Sequence, residues 1–238
     1  MMKALILAAG RGERMRPLSD ETPKPLLPVH GVPLIEWHLR ALARDGVREV
    51  VINTAWLEER IVGALGDGSR WGLQLRYSLE GRDHGGALET AGGIAKALPW
   101  LVDREDDCFW LVSADVHAPD FHFDAARAEA FARGDDLAHL WLVPNPPFHP
   151  TGDFALDAAG RLVRVAATRP WTYANLALCR ATLVAGIAPG THAALGPLLF
   201  NAADAGRLSG EVLKGAWHNL GTPQQLAALN GEAHAPRP

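Results

Sequence analysis

The chain has 238 residues, of which 48% are apolar and 21% charged, and its formal net charge at pH 7 is −4. That length suits one large domain or two small ones and can bury a core without disulfides or structural metals. The acidic balance argues against a nucleic-acid partner, which needs a basic face against its phosphates, and no run approaches the roughly 20 apolar residues of a membrane-spanning helix. Residues 4–8 read as a buried strand running into a Gly-rich loop, too short an apolar stretch for a secretory signal. Residues 33–44 carry Leu34, Ile35, Trp37, Leu39 and Leu42 at helical spacing, and Gly46 stops that helix. A short β-branched strand follows at 49–53, then a helix at 57–65, a strand at 73–77, a helix at 88–98 and a strand at 109–114 that ends at Asp115. This β-α-β-α order predicts an α/β fold, a mostly parallel sheet with helices on both faces. Its strands are continuous apolar runs, as expected of strands buried on both sides.

The second half is less regular. Residues 154–156 and 162–165 flank the turn DAAG as a hairpin, 172–179 is a strand, 195–207 a helix and 215–220 a short strand. Residues 222–230 close the chain as a helix with Thr222 as N-cap and Pro223 at its first position, before a frayed tail. No linker or repeat divides the chain, so one domain spans 1–238. Cys108 and Cys179 sit in apolar runs and read as core residues, which fits a reduced, cytoplasmic setting. Ten histidines form no metal-ligand spacing, and His117 and His122 read as surface or cap residues.

Open α/β sheets bind ligands beyond the carboxyl ends of their strands, so the loops after residues 8, 53, 77 and 114 should share one rim. The first of them is the most informative. Gly10 and Gly12 let the backbone approach an anion, and Arg11, Arg14, Arg16 and then Lys24 follow to neutralise it. A third glycine is missing where a dinucleotide fingerprint would need it (Met15), and there is no Gly-Lys-Ser/Thr of a P-loop. Asp115, at the end of a buried strand, is a candidate ligand for a hard cation or else a helix cap.

The segments LAAGRGERMRPL and PKPLLP, followed in order by LETAGGI, SADV and HNLGTP, resemble the sugar-1-phosphate nucleotidyltransferases over nearly the whole chain. INTAWL, LGDGSRWGL and SGE point within that family to short uridylyltransferases. The resemblance implies a Rossmann-like three-layer domain, with a nucleotide-binding half over about 1–120 and a sugar-binding half over about 121–230. It implies Mg²⁺ as cofactor and transfer of a nucleotide from UTP to a sugar 1-phosphate such as N-acetylmuramate 1-phosphate, by a monomer or homodimer. Carried onto this chain, it places Arg14, Lys24 and Asp115 at the reacting phosphates, with Asp115 and Asn219 holding the metal. Leu7, Ala9, Gly10, Arg11, Gly12 and Thr90 fall to the nucleotide, and Glu80 to the edge of its base. Gly152, Arg169, Asn175 and Trp217 fall to the sugar. Three departures stand out. Asn219 occurs where many relatives carry an aspartate, Arg169–Pro170 where many read Glu-Lys-Pro, and Asn175 where glycine is usual. A guanylyltransferase, a cytidylyltransferase of the choline or aminoethylphosphonate type and a non-catalytic sugar-nucleotide sensor remain open at this stage.

Overall fold

A computed structural model of the protein describes residues 2–104, 107–164 and 167–231. The first half holds β1 (Lys3–Leu7), α1 (Leu18–Glu21), β2 (Pro28–Val29), β3 (Val32–Pro33), α2 (Leu34–Arg44), β4 (Glu49–Thr54), α3 (Glu58–Leu65) and β5 (Gln74–Leu79). Then come α4 (Glu80–His84), α5 (Glu89–Leu101), β6 (Cys108–Ser113), β7 (Val116–His117), α6 (Ala125–Arg133) and β8 (Ala138–Pro144). The chain closes with β9 (Ala155–Leu156), β10 (Leu162–Val163), β11 (Trp171–Arg180), α7 (Gly196–Asp204), β12 (Leu208–Val212), β13 (His218–Asn219) and α8 (Pro223–Gly231).

One seven-stranded sheet, in the order β12-β8-β11-β6-β1-β4-β5, draws on both halves of the chain. All its neighbours pair in parallel except those of β11, which runs against both β6 and β8. The reversal has a functional consequence. It brings the early residues of β11 to the rim where β1, β4 and β6 end.

Side chains alternate across β1. Ala4 and Ile6 join an apolar layer with α2 and α3, while Leu5 joins the opposite layer with α5 and α7. The helix α2 buries Leu34, Ile35, His38, Leu39 and Leu42, a single stripe at helical spacing. Its end is a Schellman turn: Val47 N–H donates to Leu42 and Gly46 N–H to Ala43, with Gly46 at φ 89° where a side chain would be strained. A third, smaller cluster joins Met15, Leu27, Val29, Leu34, Leu220, Leu226 and Leu229. It clamps the Gly-rich loop to the segment that carries Asn219, so two remote parts of the chain share one support.

Several elements lie outside the sequence expectations, α6, β8 and β12 among them. The helix α6 buries only Ala128 and Phe131, too thin a stripe to read, and is anchored by Asp124 accepting from Ala126 and Arg127 N–H. The strand β8 is buried from Ala138 to Val143 and apolar there but for His139. The strand β12 contains Gly210, because a Cβ there would come within 2.7 Å of the Leu140 carbonyl. The hairpin is present as β9–β10, and Val165, expected at its end, lies outside the described residues, as does the tail beyond Gly231. Cys179 on β11 is a free thiol beside the strand that carries Cys108, and burial pushes the Cys179 thiol well up. His117, expected at the surface, is instead 2% exposed, with its ring 4.8 Å from that of Trp37.

Candidate active site

The Gly-rich loop takes its shape from what lies under it. Gly12 adopts φ 67°, and a Cβ on it would sit 3.3 Å from Lys24 Cβ. The Ser19 hydroxyl donates to the Gly12 carbonyl at 2.7 Å. The loop therefore folds directly over Lys24, which is 9% exposed and whose ammonium donates to Asp115 Oδ2 at 2.9 Å. Ala8 N–H, at the start of the loop, donates to the Asn53 side chain at 2.8 Å. A cleft of about 600 Å³ opens above these groups. Its wall includes Leu7, Ala9, Gly10, Gly12, Arg14, Lys24, Thr90 and Asp115, all anticipated from the sequence.

Asp115 follows β6, and its carbonyl accepts from Leu220 N–H at 2.9 Å. The two-stranded ribbon of β7 and β13 pairs Val116 with Asn219. Asp115 and Asn219 thus converge from residues 104 apart in the chain. The Oδ1 atoms of both are buried and have no hydrogen-bond donor among the described residues. Beneath this turn, burial lowers the His38 ring to about 4. The ring is therefore neutral at pH 7, and its Nε2–H donates to the Val116 carbonyl at 2.8 Å.

A second cavity of about 470 Å³ opens from the first. Leu7, Arg14, Thr90 and Ser113 line both, so Arg14 stands at their junction. Its guanidinium packs on Gly221, where an added Cβ would lie 3.2 Å from Nη2. Asn175 and Trp217 line the second cavity as expected, beside Thr172 and Tyr173. Asn175 sits in a bulge of β11 between the pairings of Tyr173 and Ala177. Its φ of 60° explains why glycine suits the position, and asparagine tolerates that conformation better than most residues. The Trp217 indole N–H donates to the Ala174 carbonyl at 3.0 Å, fixing the ring beside the bulge.

Four expected contacts are not made. Glu80 was assigned to the base edge, but it is fully buried and its oxygens accept from Asn53 Nδ2 at 2.7 Å and Leu88 N–H at 2.8 Å. Burial pushes its carboxyl pKa up, against the opposing effect of these two bonds. Glu80 is therefore a tie under the cleft, joining β4 to the start of α5, and cannot touch a ligand. Gly93 packs onto it so closely that a Cβ would be 2.7 Å from Oε1. Arg11 turns out of the cleft and lies over the Trp56 ring at 4.0 Å. Gly152 lies against the Arg169 carbonyl, which a Cβ would approach to 2.1 Å. That carbonyl accepts from Asn145 at 2.7 Å, and neither Gly152 nor the Arg169 side chain reaches the cavity wall.

Sequence reasoning also missed Asn53, Ser113 and Glu89, which line the nucleotide cleft. Asn53 carried a signal, a polar residue closing the apolar strand EVVIN. Glu89 carried none, because its positive φ of 63° is visible only in three dimensions.

The tie makes a prediction. Ala8 N–H fixes Asn53 Oδ1, so Asn53 Nδ2 must point at Glu80. In Glu80→Gln one amide oxygen cannot serve both Asn53 and Leu88, and a buried donor is orphaned. Urea unfolding should show a loss of about 1–3 kcal/mol; unchanged stability would contradict the tie.

A Gly-rich loop over a lysine–aspartate pair, at the carboxyl rim of a mainly parallel sheet, suits a phosphorylated ligand. The chain belongs to the nucleotidyl transferase family, whose model matches residues 3–162. It is 47% identical to the N-acetylmuramate alpha-1-phosphate uridylyltransferase of Neisseria meningitidis serogroup B, over 98% of this chain and 99% of that one. It is 32% identical to the protein of the same name from Caulobacter vibrioides, over 94% of each. Among solved structures, a Bacillus anthracis protein described provisionally as a glucose-1-phosphate thymidylyltransferase, crystallised with sucrose, matches with a TM-score of 0.80. That match covers 99% of this chain and 98% of the other at 18% identity, and the likeness concerns the fold.

Proposed function

We propose that the protein transfers UMP from UTP to N-acetylmuramate 1-phosphate, releasing pyrophosphate. The reaction type rests on one observation above all: Lys24 and Asp115 pair beneath the Gly-rich loop on the wall of the first cleft, with Asn219 brought alongside by the β7–β13 ribbon. The base and the sugar rest on the near-full-length likeness to the two uridylyltransferases, and cell-wall recycling is the setting this substrate implies.

The triphosphate lies in the first cleft against the N–H groups of residues 10–12, and the sugar phosphate in the second. An oxygen of the sugar phosphate attacks the α-phosphorus in line as the bond to pyrophosphate breaks. That oxygen is already ionised at neutral pH, so no general base is needed. Both reactants are anions, and the protein's task is to align them and offset their repulsion. Arg14, at the junction of the cavities, faces phosphate from both sides. Lys24 supplies a fixed positive charge from below, held in place by Asp115.

The orphaned Oδ1 atoms of Asp115 and Asn219 fit a hard divalent cation, which takes oxygen ligands and keeps several from water or phosphate. When bound, Mg²⁺ would neutralise charge on the reacting phosphates. Asn219 contributes no charge, so Asn219→Asp should tighten Mn²⁺ binding, read by electron paramagnetic resonance, while activity is kept. Weaker Mn²⁺ binding would remove Asn219 from the site. In a thermal-shift comparison, UTP with Mg²⁺ should raise Tm and GTP should not. Protection by GTP alone would favour a guanylyltransferase instead.

A further inference from the structure

The second cavity contains one basic side chain that the reaction does not use. Arg14 is committed to the phosphates, and Asp153 is engaged at both oxygens: Oδ2 accepts from Tyr173 N–H at 2.8 Å and Oδ1 faces His149 Nε2 at 2.9 Å. His149 remains. It lines the cavity on the loop between β8 and β9, next to Phe148, which is 52% exposed. That loop is not loose at its base. Asn145 Nδ2 donates to the carbonyls of Pro150 and Arg169, and Thr172 Oγ1 donates to Asn145 Oδ1. The ring is therefore built into the wall and oriented by a carboxylate that is itself fixed to β11. In the imidazolium form both ring nitrogens donate. Asp153 Oδ1 accepts from Nε2–H, which leaves Nδ1–H for an acceptor. The cavity's lining also includes the apolar Phe148, Phe154, Leu199 and Phe200.

We propose that His149 is a specificity determinant that binds a carboxylate on the sugar, so the acceptor class is a sugar 1-phosphate bearing an acidic substituent. This rests on the proposed function and adds the group that reads the lactyl carboxylate of N-acetylmuramate. Asp153 is the positioning residue behind it. A charge-assisted bond to an acidic substituent is stronger than one to a hydroxyl, so the pair selects against otherwise similar neutral sugars.

The experiment compares kcat/KM for N-acetylmuramate 1-phosphate with that for N-acetylglucosamine 1-phosphate, the same sugar with a hydroxyl in place of the lactyl ether that carries the carboxylate, with UTP and Mg²⁺. The wild-type protein should prefer the acidic sugar. In His149→Ala that preference should fall by about 10- to 100-fold, the worth of a hydrogen bond to a charged group, with the change in KM and not in kcat. His149→Asn, whose amide N–H can stand in for Nδ1–H, should recover part of it. The position is at the surface of a loop, and an unchanged Tm checks folding. Preference retained in His149→Ala, or equal losses on both sugars, would overturn the role of His149 and leave the proposed reaction standing. A wild-type protein that uses the neutral sugar as readily as the acidic one, or rejects both, would overturn the substrate reading and this inference together.

Discussion

Asp115→Ala should abolish Mg²⁺-dependent turnover while the fold survives. The carboxylate does two things at once: Oδ2 holds the Lys24 ammonium at 2.9 Å, and Oδ1 is a buried oxygen with no donor among the described residues. Alanine removes the only anionic ligand in the proposed metal site and releases Lys24 from its position. The expected fall in kcat is at least about 10³-fold, equivalent to roughly 4 kcal/mol of transition-state stabilisation. Stability should change little, because Asp115 lies on the wall of an open cleft and Val116 behind it is held by His38. Activity within tenfold of the wild type, with Tm unchanged, would take Asp115 out of the reaction.

Lys24→Ala should lower kcat by about 10²–10³-fold, the usual cost of removing one fixed group that stabilises transition-state charge. Lys24 is nearly buried, under Gly12 and against Asp115, so its ammonium is pre-oriented and loses little freedom when phosphate arrives. A charge placed this way counts for more as negative charge shifts between reacting oxygens than in the ground state. The effect should therefore appear in kcat. A change confined to KM for the nucleotide would mean that Lys24 only binds.

Much of this was legible in the sequence, for identifiable reasons. The strands β1, β4 and β6 are buried on both faces, so they appear as unbroken apolar runs, and their polar ends mark the rim. Arg14, Lys24 and Asp115 belong to short motifs that the fold brings to the first cleft, and Asn219 to one that lines the second cavity. Glu80 and Arg11 differ from expectation because being near a rim does not say which way a side chain turns, and Gly152 and Arg169 because their backbones pack on each other. Glu80 follows the edge strand β5 yet is drawn inward by Asn53 and Leu88. Arg11 finds an indole, and Gly152 is needed for backbone contact. His149 looked ordinary because its meaning depends on Asp153 and on a cavity formed by β11, α7 and the segment before β13. The reversal of β11 itself cannot be read from local pattern, because a buried strand looks the same in either direction.

Pyrophosphate release with Mg²⁺ tests the central claim most directly, with UTP, GTP, CTP and dTTP each paired with N-acetylmuramate, N-acetylglucosamine, glucose and mannose 1-phosphates. The account predicts release with UTP and N-acetylmuramate 1-phosphate well above every other pair. Preferred release from a different nucleotide or sugar would contradict the proposed substrates, and no release from any pair would contradict the proposed reaction.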